Sequence, residues 1–120
     1  MLINPISNSQ YNPSIQGGMR VFDKDARSII LKKCNDKQFL ELKDIFKNQQ
    51  NDKVFCFIYT SKNKKRLEAR VMCTHFIKNF KEYYKQIPVF ESTFGFIKRM
   101  SKRMDKYIAQ LQKAEKDAQV

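Results

Sequence analysis

Between residues 53 and 60 the chain reads Lys-Val-Phe-Cys-Phe-Ile-Tyr-Thr, β-branched or aromatic at almost every position. Such side chains lose rotamer freedom against a helical turn and pack well on a pleated surface, so the run demands a strand. Both of its faces are apolar, which places it centrally in a sheet. Ser61-Lys62-Asn63-Lys64 follows as a polar turn, and Leu67, Ala69, Val71 and Cys73 then alternate with Glu68 and Arg70. That period of two marks a half-buried strand. The two strands form an antiparallel hairpin over about residues 53–73, and an all-helical fold fails on this region.

Helices are expected on either side of the hairpin. Phe39, Leu42, Ile45 and Phe46 recur at helical spacing, with Asn35 or Asp36 as N-cap and Gln38 three residues after Asn35 in capping-box position. This predicts a helix over residues 37–50. From Phe90 onward Phe94, Ile97, Met100, Met104, Ile108 and Leu111 share one sector of a helical wheel, predicting a long amphipathic helix over residues 90–118. Residues 74–87 fit two periods, and the spacing of Phe76, Phe80, Tyr83 and Tyr84 favours a short helix. Residues 19–22 form a short extended candidate, whereas the apolar run 28–31 is too short for periodicity to assign. The expected class is α+β: a small antiparallel sheet, with its central hairpin, packed by the two helices.

One domain of residues 19–112 is expected, because 120 residues with this apolar content bury a single core. Residues 1–18 are rich in Asn, Ser, Pro and Gln and end in Gly17-Gly18, which reads as a flexible leader. Residues 113–120, rich in Lys, Glu, Gln and Ala, read as a frayed or projecting helix end. Within the leader, Tyr11-Asn12-Pro13-Ser14-Ile15-Gln16-Gly17 resembles the Asn-Pro-Ser-Phe-x-Gly opening of many uncharacterised short proteins of AT-rich bacteria and their phages. Ile15 replaces the aromatic, and the resemblance implies lineage without an activity.

Charge supplies the functional expectation. The net charge is +12, with +3 from residues 1–60 and +9 from residues 61–120. A basic half of this kind attracts polyanions, although Lys-rich coding bias and solubility account for the same excess. On the C-terminal helix Lys98, Arg99, Lys102, Arg103 and Lys106 lie within about two turns, opposite the apolar stripe. Lys62, Lys64, Lys65 and Arg66 form a second cluster at the hairpin turn. The first expectation is therefore a non-catalytic accessory protein that binds nucleic acid or another polyanion through its backbone charge. The rival is a protein–protein or structural module, homodimeric or bound to a partner protein. Ile108 and Leu111 near the helix end are candidates for that contact, as is Phe96, which lies off the main stripe and is either covered by a second neighbour or exposed for a partner.

Other chemistry finds little support. Cys34, Cys56 and Cys73 are scattered and partly embedded in apolar runs, as reduced buried thiols are, and no disulfide is expected. His75 and Cys73 are too few for a zinc site. No glycine-rich phosphate loop, H-E-x-x-H or G-x-S-x-G motif occurs, so neither enzymatic activity nor a cofactor is expected. No apolar stretch reaches membrane-spanning length and no secretory signal opens the chain, so a cytoplasmic location is expected.

Overall fold

The computed structural model describes residues 18–51, 53–74 and 79–118. The expected leader lies almost entirely outside them. In chain order the elements are β1 (Gly18–Val21), α1 (Lys24–Lys33), α2 (Asp36–Asn48), β2 (Val54–Thr60), β3 (Leu67–Thr74), β4 (Asn79–Lys85) and α3 (Thr93–Ala118). The strands form one sheet in the order β1-β2-β3-β4. The fold is α+β.

The hairpin forms as its residues dictate, with Cys56 opposite Val71 and Ile58 opposite Ala69. Two features depart from expectation. β4 is a strand, not a helix, and it extends the antiparallel ladder with Val71 opposite Glu82 and Cys73 opposite Phe80. β1 is parallel to β2, with Met19 opposite Cys56, so the sheet is mixed. Parallel neighbours need a long crossover, and α1 and α2 supply it. Gly18 starts β1 at φ +107, where an added Cβ would lie 3.0 Å from the Gln49 carbonyl oxygen. The position suits glycine for both reasons.

Side chains fix the helix starts. Asp23 caps α1, its Oδ1 accepting from Ala26 N at 2.6 Å. Its Oδ2 accepts from Thr60 N at 3.1 Å and from the Thr60 hydroxyl at 3.0 Å, which ties the helix start to the end of β2. Burial raises the Asp23 pKa, but the hydrogen bonds from Ala26, Thr60 and Asp25 outweigh it and hold the carboxyl below its ordinary value. α2 opens with the expected capping box, in which Asn35 Oδ1 accepts from Gln38 N at 2.8 Å and Gln38 Oε1 accepts from Asn35 N at 3.0 Å.

All three helices cover one face of the sheet. The core between the layers holds Val54, Cys56 and Ile58 of β2, Leu67, Ala69, Val71 and Cys73 of β3, and Phe96, Ile97, Met100 and Met104 of α3. Ile29, Ile30 and Leu42 close it from α1 and α2. Buried Gln49 links α2 to α3, its Nε2 donating to Ser101 Oγ and to Asp105 Oδ1, each at 2.8 Å. The end of α3 docks as far as Glu115, which pairs with Lys53 at 2.8 Å, so it is held rather than projecting at that point. Among the described residues no disulfide joins the three cysteines, and no helix is long and apolar enough to cross a membrane.

Candidate nucleic-acid interface

Helices on one face leave the other uncovered by any described element. The alternation that sends Val54, Cys56 and Ile58 into the core turns Phe55, Phe57 and Tyr59 the opposite way. Strand register then collects a set on this open face. Arg20 lies opposite Phe57 across the β1–β2 pair. Met72, Arg70 and Glu68 of β3 stand opposite Phe55, Phe57 and Tyr59, and Lys81, Tyr83 and Lys85 of β4 continue the rows. Phe22, just beyond β1, extends the same alternation.

The rings are partly open to solvent. Phe55 and Phe57 stack with centroids 5.9 Å apart and planes 21° apart, and Phe22 meets Phe57 edge-on at 5.8 Å. Phe22 is 67% exposed and Tyr83 61% exposed. The Arg70 guanidinium lies 5.6 Å from the centre of the Phe57 ring, at cation–π distance. Arg70 Nε is buried with no hydrogen-bond partner among the described residues. Burial, and then the Glu68 charge, push the Tyr59 hydroxyl above its ordinary pKa, so it is a neutral donor at physiological pH. Arg20, Lys81 and Lys85 surround the rings as exposed cations. The face therefore offers flat π surfaces bordered mainly by cations, with Glu68 among them.

The residues expected to bind polyanions divide in their fates. Arg99 is committed to the fold: its Nε donates to Glu91 Oε2 at 2.7 Å and its Nη2 to the Lys85 carbonyl at 2.8 Å, over the Phe96 ring. Arg103 is half-buried, with its guanidinium 5.7 Å from the Tyr84 ring. Lys98, Lys102 and Lys106 remain exposed at four-residue intervals on the outer face of α3, opposite its buried stripe and away from the open sheet face. Lys98 sits 5.3 Å from the Phe94 ring. The helix thus presents a row of three cations rather than five.

At the hairpin turn Lys62, Lys64 and Lys65 are exposed and Arg66 is half-buried. Lys64 lies 3.5 Å from the Asp25 carboxylate. Lys62 and Arg66 share a cleft of about 530 Å³ with Glu68 and Lys85, so this cluster joins the end of the open sheet face.

The expected partner contacts need correction. Phe96 is fully buried and Leu111 nearly so, while Ile108 is half-buried against the core. Phe96 falls off the main stripe yet is core because α3 is covered from two directions, by the sheet and by α1 and α2. Cys73 is core, His75 lies outside the described residues, and among those described no cluster of three metal-ligating side chains occurs.

The open-face residues escaped sequence reasoning because β2 looked apolar on both sides. The hairpin register carried the missing signal: Phe57 and Tyr59 share a face with Arg70 and Glu68, and a face that carries charges is not core. No protein-family model, curated protein or solved structure matches this chain.

Proposed function

We propose that this protein is a non-catalytic nucleic-acid-binding module that holds single strands on the open face of its sheet. The observation that carries this reading is the stacked Phe55–Phe57 pair under Arg70, partly open to solvent and ringed by Arg20, Lys81 and Lys85. Unpaired bases stack on aromatic rings whatever their identity, and four-stranded sheets bearing such rings suit this task. A duplex hides its bases, so only its phosphates can meet this surface. The expected binding is therefore tighter for single strands and weakly sequence-dependent.

Fluorescence anisotropy of a labelled single strand and a labelled duplex tests the reading. If about four phosphates are neutralised, single-strand affinity falls roughly fifty-fold between about 50 and about 200 mM salt. Phe57→Ala removes about 1–3 kcal/mol of stacking, a loss of roughly 5- to 150-fold. Reversal of Lys98, Lys102 and Lys106 to Glu leaves most single-strand binding in place. Equal affinity for both forms, or loss through the helix variant alone, shifts the site to the helix row. A homodimer that persists at high salt and is broken by Phe57→Ala reassigns the open face to self-association, because apolar burial is not screened by salt.

A further inference from the structure

The connection between β4 and α3 displays apolar side chains that the proposed function leaves unused. Val89 is 94% exposed and Phe90 89% exposed, and Ile87 beside them is exposed as well. Val89 also has φ +70, a conformation that costs a β-branched residue free energy. A loose loop would relax that strain and turn its apolar groups inward.

This loop is held in place. Gln86 N donates to the Leu67 carbonyl, and Leu67 N donates to Gln86 Oε1, each at 3.0 Å. Gln86 Nε2 reaches the Glu91 carbonyl at 2.9 Å. Ile87 N donates to Glu91 Oε1 at 2.9 Å, and Glu91 N returns to the Ile87 carbonyl at 3.1 Å. Arg99 closes the far side with two donors to the Glu91 carboxylate. The sheet, the loop and α3 together fix a small convex tip whose summit is apolar.

The shoulder of the tip is cationic. Lys62, Arg66 and Lys85 line the cleft that runs up to Pro88, with Glu68 the one carboxylate in its wall. Two further carboxylates lie close by: Glu91 is paired with Arg99 at 2.7 Å, and Asp25 faces Lys64 of the hairpin turn at 3.5 Å. A protruding apolar point flanked by basic groups matches an anionic lipid surface, where apolar groups enter the interfacial layer and cations meet the headgroup phosphates.

We infer that Val89 and Phe90 are a membrane-insertion tip, and that Lys62, Arg66 and Lys85 hold it against anionic phospholipid. The two elements act together, since one shallow apolar insertion gives only marginal attachment by itself.

Co-sedimentation of the full chain with vesicles of phosphatidylcholine, alone or mixed with phosphatidylserine, tests the inference. Binding is expected to the mixed vesicles only. Val89→Ser with Phe90→Ser lowers it at least about tenfold, from the apolar surface lost. Each of Lys62→Gln, Arg66→Gln and Lys85→Gln lowers it about five-fold. The chain contains no Trp, so Phe90→Trp provides a single indole, whose emission shifts to the blue when vesicles are added. Absence of vesicle binding overturns the inference. So does binding that survives the double Ser variant with the indole unshifted, which is charge attraction without insertion. An indole shift that follows nucleic acid or self-association instead of lipid assigns the tip to that partner and equally overturns it. Phe57→Ala retains vesicle binding and the double Ser variant retains strand binding, so each proposal fails separately.

Discussion

Asp23→Ala tests how α1 is joined to the sheet. The side chain serves two elements at once: Oδ1 caps α1 at Ala26 N, and Oδ2 receives the amide and hydroxyl of Thr60 at the end of β2. Removing the cap costs about 1 kcal/mol. Losing the charged acceptor at Thr60 costs at least about 1 kcal/mol more, even for a carboxylate partly open to water. A total of about 2 kcal/mol lowers the Tm by roughly 10 °C and shifts the urea midpoint by about 1 M. Asp23→Asn keeps the acceptor for Ala26 but not the charge, so it costs about half as much. The pH dependence follows from the depressed carboxyl pKa. The unfolded group titrates near about 3.9, so the stabilisation is fully present above that pH and is lost as pH falls through the lower folded value. Urea melts of wild type, both variants and Thr60→Val, taken at neutral pH and down through the acid range, measure each part. A loss under about 0.5 kcal/mol for Asp23→Ala, or an unchanged acid limb in Asp23→Asn, would refute the double anchoring.

Further outcomes follow from other contacts. Tyr84 and Tyr107 share a hydrogen bond of 2.6 Å, and burial together with that bond pushes the Tyr84 hydroxyl up to about 12. An unfolded tyrosine ionises near about 10, so this stabilisation is complete below that pH and declines as pH rises towards the folded value. Urea melts across the alkaline range should show the decline weakened in Tyr107→Phe. Gln49→Ala removes the bonds to Ser101 and Asp105 and should lower stability by about 1–3 kcal/mol in the same assay. With a thiol reagent near neutral pH, Cys34 should react in the folded protein, whereas Cys56 and Cys73, both buried, should react only after unfolding; burial pushes the Cys56 thiol up to about 12.

The parts of the fold legible in the sequence are those fixed locally. Asn35 and Gln38 announce the capping box of α2, and the β2–β3 hairpin follows from a two-residue period beside a polar turn. β4 misled because a spacing of four suits both kinds of element. Phe80 and Tyr84 share a helical face at i and i+4, and they equally share one face of a strand, with Lys81, Tyr83 and Lys85 on the other. The parallel pairing of β1 depends on contacts made far along the chain, which no local pattern records. A helical wheel gathers the α3 cations on one side, but it cannot show that Glu91 and Tyr84 occupy Arg99 and Arg103. Phe90, assigned to α3, instead crowns the preceding loop, beyond the reach of the core.

β4 borders the sheet, and no described strand pairs with its outer side. An edge of this kind offers open backbone groups to any extended chain, and charged side chains are a common defence against such stacking. Lys81, Glu82 and Lys85, all exposed, give this border that defence. The two lysines therefore guard colloidal stability as well as lying beside the aromatic rings. Replacing them with apolar residues would invite edge-to-edge assembly, and turbid samples would then be mistaken for lost binding. Substitution by Gln or Glu keeps the border polar and separates the two roles.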